Sequence, residues 1–277
     1  MKNIGTKLAA VTFVLLASSS AFAGVGGSAG KIQAAIQSGS VDAITAEVER
    51  AEGLMCSECI SLVTNLTEDS RFDVREVAAW WFAKRPALKD QLAPQFLAEL
   101  ASGDSIKVRN AANFLGHTVT YEALPTFRAA IHRTNLSAEA KLAMVEAIAF
   151  MGHRDGNPVL VTAMADADAT VRAAAVRAWR DILGQLDATP VVGLLGDSDP
   201  RVRAEAATVV GGLGAVAGRA QLEQLVVGDA DPIVRRNAAW ALGKIGDPAS
   251  RAVLAQASLD KSGLVKLVAK AALASLH

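Results

Sequence analysis

Between Asp229 and Pro248, in DADPIVRRNAAWALGKIGDP, apolar residues recur at helical spacing. Val234, Ala238, Ala241 and Ile245 line one face, and charged or polar residues fill much of the rest. The ends carry start and stop signals. Asp229 and Asp231 are N-cap candidates, and Pro232 suits a first turn, where its missing N–H costs nothing. Gly243 and Gly246 weaken and end the helix, and Pro248 forbids its continuation. The stretch predicts one complete amphipathic helix.

The same pattern returns along the chain, with an Asp or Asn before a helix and a basic residue in its first turn. The pairs are Asp69/Arg75, Asp104/Arg109, Asn135/Lys141, Asp166/Arg172, Asp197/Arg203, Asp229/Arg235 and Asp260/Lys266. From one basic residue to the next the steps are 34, 32, 31, 31, 32 and 31. A step of this size is the mark of a solenoid of stacked helix pairs. The pattern predicts an all-α fold, an α-α superhelix of about seven helix-pair repeats within residues 31–277. Lys31–Gln37 and Val41–Glu52 are expected as an N-terminal capping pair, which covers the first core face. Gly211 to Gly218 reads as a loop between helices. No strand precedes it and no Lys-Ser or Lys-Thr follows, so a phosphate-binding loop is not expected.

DADPIVRRNAAWALGKIGDP and DSDPRVRAEAATVVGGLG resemble the short bacterial HEAT-like repeats of the phycobilin-lyase (PBS-lyase) type, over about residues 40–277. The resemblance implies the solenoid and makes protein binding the default function. It also implies a ladder of caps and ion pairs along the stack, which makes Asp69, Arg75, Asp166, Arg172, Asp197, Arg203, Asp229 and Arg235 structural. The iron-binding HEAT enzymes, the deoxyhypusine hydroxylases, use repeated His-Glu pairs. Here His117, His132 and His153 are followed by Thr, Arg and Arg, and His277 ends the chain. Neither a metal nor another cofactor is expected, and no catalytic set stands out.

Lys2 and Lys7 precede the apolar run Leu8–Leu16, which is too short to span a bilayer comfortably. Ala21-Phe22-Ala23 follows as a cleavage site, so residues 1–23 read as a signal peptide and 24–30, GVGGSAG, as a flexible leader. A periplasmic or secreted chain without membrane insertion is expected. Removing the two lysines of 1–23 takes the formal charge from zero to −2, which leaves no basic excess for nucleic acid.

In such solenoids the second helix of each pair lines the concave face. With Val234 at zero and 100° per residue, Ala238, Ala241 and Ile245 cluster within about 40°, while Trp240 falls near 240°. Trp80 takes the same position relative to Val74, whereas Trp81 and Trp179 read as core. Glu146, Arg177 and Thr208 hold the outward position in their repeats. Trp80, Arg177 and Trp240 are therefore the candidate anchors for a protein or peptide partner. The alternative is that neighbouring helices cover the tryptophans.

Cys56 and Cys59 are the only cysteines. They stand 19 and 16 residues before Arg75, where Asp247 and Ser250 stand before Lys266. That register puts Cys56 near an N-cap and Cys59 in a first turn, and a helix N-terminus favours a thiolate. A structural disulfide, a redox-active pair serving electron transfer, and a free or intermolecular thiol role all remain open. Ile60 stands where haem attachment needs His, and two thiols fall short of a zinc site. Alkylation and mass measurement with and without reductant decide the ground state. Labelling only after reduction is the outcome expected of the disulfide, and labelling without reductant excludes it.

Overall fold

The structure is a computed structural model that describes residues 28–54 and 56–276. The signal segment expected at 1–23 lies outside the described residues. So does most of the leader, but its last part is helical. Ser28 caps α1, and Ala29 and Gly30 form its first turn, because the Ser28 hydroxyl accepts the Lys31 N–H. The expected boundary at residue 31 thus moves to Ala29.

Sixteen α-helices follow one another among the described residues, with short 3-10 turns and no strand. They form eight pairs, the first being α1 (Ala29–Ser38) with α2 (Val41–Arg50). Next come α3 (Ser57–Leu66) with α4 (Phe72–Ala83), and α5 (Pro86–Leu100) with α6 (Ser105–His117). The middle holds α7 (Leu124–Ala130) with α8 (Ala138–Met151), and α9 (Asn157–Ala163) with α10 (Ala169–Trp179). The last three pairs are α11 (Thr189–Val192) with α12 (Pro200–Gly212), α13 (Arg219–Gly228) with α14 (Pro232–Ile245), and α15 (Arg251–Ala257) with α16 (Gly263–Ser275). The helices form an α-α superhelix, with one apolar core running along the stack.

The Asp-x-Asp motif builds each regular junction. Asp168, Asp199 and Asp231 are the N-caps, each accepting a first-turn N–H of α10, α12 or α14. Asp166, Asp197 and Asp229 stand two residues earlier and accept the N–H of those caps. Asp229 is thus a turn residue, and Asp231 alone caps α14.

Each arginine of these junctions binds twice. Arg172 donates to the backbone carbonyl of Asp166 at 2.9 Å, within its own repeat. Its Nε and Nη2 donate to the Asp197 carboxylate of the next repeat, both at 2.8 Å. Arg203 holds Asp229 and Arg235 holds Asp260 in the same way, and Lys141 reaches Asp166 at 2.6 Å. A guanidinium fork on a carboxylate is a strong, oriented contact. Four consecutive rungs therefore tie α8 to the junction before α16.

The ladder stops at α6. Its N-cap is Asp104, so the residues in register with Asp197 and Arg203 are Ser102 and Val108. The pair Asp104/Arg109 is off register by a turn residue at one end and by one helix position at the other. Arg109 instead pairs with Glu139 at 2.8 Å. Two further ladder residues drop out with it. Asp69 pairs with Arg71 at 2.8 Å, and Arg75, lacking a carboxylate at α6, donates to Asn113 and to the carbonyls of Asp69 and Ser70.

Even-numbered helices approach one another closely where small residues meet. A Cβ on Gly116 would lie 2.6 Å from the Ala147 Cβ, one on Gly211 2.5 Å from the Ala241 Cα, and one on Gly243 2.7 Å from the Ala272 Cβ. Gly211 and Gly212 belong to α12 rather than to a loop, and their smallness lets α14 come in. Odd-numbered helices touch one another far less. A stack drawn tighter in one layer bends toward that layer, so α2 to α16 line the inner face.

The rungs bear on acid stability. Hydrogen bonds from Arg172 and Arg235 hold the carboxyls of Asp197 and Asp260 below the usual range. At Asp229 burial opposes, and Arg203 still brings the carboxyl down. A carboxyl lowered by folding adds stability above its unfolded pKa, and that stability is lost as pH falls through the folded value. Asp197→Asn should therefore destabilise the protein by about 2–4 kcal/mol near pH 7, since Arg172 keeps a partly buried charge. The deficit should shrink below about pH 4. Urea unfolding at a series of pH values measures both, and a pH-independent deficit would contradict the rung.

Candidate functional site

The repeat register defines rows on the inner face. Five residues after the ladder position stand Trp80, Asn113, Glu146, Arg177, Thr208 and Trp240. Four residues further, one turn on, stand Lys84, His117, Phe150, Asp181, Gly212 and Lys244. Residues four apart share a helix face, so both rows look onto the same surface.

Along α2 to α10 this surface sinks into a groove. Its first part, about 290 Å³, is lined by Thr45, Glu49, Asp73, Glu76, Val77, Trp80, His117 and Phe150. The next part, about 500 Å³, shares His117 and Phe150 and extends over Phe72, Glu146 and Arg177 to Asp181. Phe150 is 55% exposed and Phe72 39%, which is a large apolar surface for helix residues turned from the core.

His117 sits at the centre. Its Nδ1 donates to the Asn113 carbonyl at 2.9 Å, which leaves Nε2 facing Glu76 at 3.3 Å. The ring packs on Phe150, with centroids 4.6 Å apart, and edge-on to Phe72 at 6.1 Å. Asn113 is buried and takes the Arg75 Nε–H at 2.8 Å, so the ring rests on a fixed support. Burial pushes the Glu146 carboxyl up, with His117, Arg177 and Arg75 pulling the other way. Past α6 the chain turns at Val119, whose φ is 50°. Gly152, Gly214 and Gly246 hold this left-handed position after α8, α12 and α14. A β-branched residue is strained there, and such strain concentrates at functional sites.

The structure brings Trp80 and Arg177 into this one groove and leaves Trp240 apart. Trp240 lines a separate depression of about 490 Å³ between α14 and α16, with Lys244, Leu267 and Ala271. Its ring lies across Gly211, where an added Cβ would stand 3.1 Å from a ring carbon, and its exposure is 36%. Trp80 is half-buried and packs on the core. The two tryptophans are thus covered on one side and open on the other. Each carries a lysine one turn on, Lys84 at 5.6 Å and Lys244 at 5.7 Å from the ring centroid. Arg177 is exposed and reaches Glu205 at 3.5 Å. Thr208 is occupied, donating to the Ala204 carbonyl and accepting from Asn237. Trp81 and Trp179 lie in the core.

Cys56 and Cys59 are joined in a disulfide. Cys56 is the N-cap of α3, and its sulfur accepts the Cys59 N–H at 3.0 Å. Cys59 is fully buried. The pair stands at the start of α3, after a loop whose carbonyls at Ala51, Glu52 and Leu54 are gathered by Arg85, itself stacked on Trp81. Among the described residues no group of three or more His, Cys, Asp or Glu is placed to hold a metal ion, and no helix is long and apolar enough to cross a membrane.

The sequence reading missed Phe72, Glu76, His117 and Phe150. His117 and Phe150 were within reach, since they stand one turn beyond the outward positions of their repeats. For His117, counting α6 from Arg109 hid this, because that register points to Phe114, which is core.

The HEAT repeats family profile matches residues 188–274. No curated protein sequence matches the chain. Among solved structures, YibA of Escherichia coli aligns at 15% identity over 89% of this chain and 91% of its own, with a TM-score of 0.58. A chain from the structure of Kap95p binding to RanGDP aligns at 14% identity over 88% of this chain and 40% of its own, with a TM-score of 0.56. An engineered protein aligns at 18% identity over 85% and 80%, with a TM-score of 0.50. At these identities the likeness is one of fold. The profile adds that residues 188–274 match HEAT repeats, and the likeness of fold runs over most of the stack.

Half-covered tryptophans predict intermediate losses. Trp80→Ala and Trp240→Ala should each cost about 1–2 kcal/mol of stability by lost apolar burial. Trp81→Ala, fully buried, should cost about 3–5 kcal/mol. Urea unfolding compares the three, and equal losses would show that neither inner-face ring is available to a partner.

Proposed function

We propose that the protein is an exported, non-enzymatic scaffold that holds a partner polypeptide along the inner face of its helix stack. The observation that carries this reading is the groove centred on His117, where exposed Phe72 and Phe150 share one surface with Trp80 and Arg177. Aromatic residues and arginine are favoured anchors at protein interfaces. The repeat around α6 also departs from its neighbours in three ways, the missing rung, buried Asn113 and strained Val119. Breaks of local rule in a regular design concentrate where function competes with stability.

Export rests on Lys2, Lys7, the apolar run and Ala21-Phe22-Ala23, and a chain recovered from the periplasm or medium should begin at Gly24. The short step between repeats supports kinship with the bacterial PBS-lyase type of HEAT repeat. For Cys56 and Cys59 we favour a structural clip over thiol–disulfide exchange, since Cys59 is wholly covered.

The test is capture from the exported fraction with three immobilised proteins. Wild type and Val161→Glu, a change on α9 in the outer layer, should retain the same partner. Phe150→Glu should lose it, by about 2 kcal/mol or more once affinity is measured. Equal capture by all three would remove the groove from the binding surface.

A further inference from the structure

We propose that the part of the groove between α2, α4 and Phe150 receives an arginine or lysine side chain of the partner polypeptide. This rests on the reading of the groove as a polypeptide-binding face and names the chemistry that fills it. Glu49 from α2 and Asp73 and Glu76 from α4 line the space, with Trp80 and Phe150 as aromatic walls. At about 290 Å³ it lies at the foot of the range for small-molecule pockets, and suits one long side chain.

The cations bordering the groove are already engaged. Lys84 pairs with Glu52 at 3.6 Å, Arg109 with Glu139 at 2.8 Å and Arg177 with Glu205 at 3.5 Å. Arg75 is buried on Asn113 and backbone carbonyls. Among the described residues Glu49 and Asp73 form no ion pair, and Glu76 faces only His117. The carboxylates are therefore left to an incoming charge. A cationic side chain lays its aliphatic stem on the apolar walls and brings its head to the acids. Trp80, whose ring already has Lys84 at 5.6 Å, serves as an apolar wall. An anionic segment would meet several carboxylates of its own sign, which is costly at an interface. Glu146, further along the groove, adds a fourth carboxylate to its lining.

Two short, otherwise identical Ala-Ser peptides serve as probes, one with two central Arg and one with two central Gln. Calorimetric titration of the full chain should show the Arg peptide binding about tenfold tighter or more. Added salt should reduce that preference. The double variant Glu49→Gln/Glu76→Gln should abolish it, and Glu122→Gln, in the outer layer, should leave it intact. Phe150→Ala should weaken both peptides. Equal binding of the two peptides, each weakened by Phe150→Ala, overturns the cationic occupant and leaves the scaffold reading standing. An Arg peptide that does not bind, or that binds the double variant as tightly as wild type, overturns the proposal as well. If Phe150→Ala affects neither peptide, binding lies outside the groove and both readings fall. Matching unfolding curves for wild type and variants confirm that the comparison is made between folded proteins.

Discussion

The regular part of this molecule depends on one contact, the basic side chain that spans two repeats. Its inner hydrogen bonds close the turn before its own helix, and its outer ones grip the Asp of the next turn. The same Asp also holds the N–H of the following cap. One carboxylate thus fixes the turn, the helix start and the spacing to the previous helix at once. A single rung at the surface would add little. A series of partly buried forks, each sharing its Asp with a turn, makes neighbouring repeats settle together.

The close approach of the even-numbered helices is the second half of that constraint. It requires Gly or Ala where α6 meets α8, α12 meets α14 and α14 meets α16. Small residues on the inner layer bring the rows of side chains five and nine residues past the ladder near their counterparts in the next repeat. In α12 these rows carry Thr208 and Gly212, both small. In α4, α6 and α8 they carry Trp80, His117, Glu146 and Phe150, and the surface becomes a groove. The repeat supplies the geometry, and variation at two rows supplies the chemistry. Where the ladder fails at α6, Arg75 turns to Asn113, which in turn holds His117.

Much of the fold was legible because each repeat declares itself locally. Caps, prolines, glycines and an apolar face fix one helix within about a dozen residues, and their recurrence fixes the stack. The N-cap position of Cys56 followed from the same register, as did the burial of Trp81 and Trp179. Asp104 and Arg109 misled for a physical reason. An Asp can cap a helix or close the turn before it, and sequence does not separate these roles where the second Asp is missing. At α10, α12 and α14 both Asp residues are present, and the register is plain.

The groove belongs to another level. A helical wheel shows that Trp80 and Trp240 leave the core, but not that a neighbour's glycine covers one side of Trp240 or that Trp80 joins Phe150 across two repeats. Those facts depend on the distance between helices, and Gly116, Gly211 and Gly243 set that distance only against the Ala of another repeat. By itself the sequence determined the helices, their order and their period, since these follow from signals within one repeat. The tertiary structure decided which Arg meets which Asp, and that Phe72, His117 and Phe150 form one surface. Those contacts join residues 25 to 45 apart in the chain, and only the stacking of repeats brings them together.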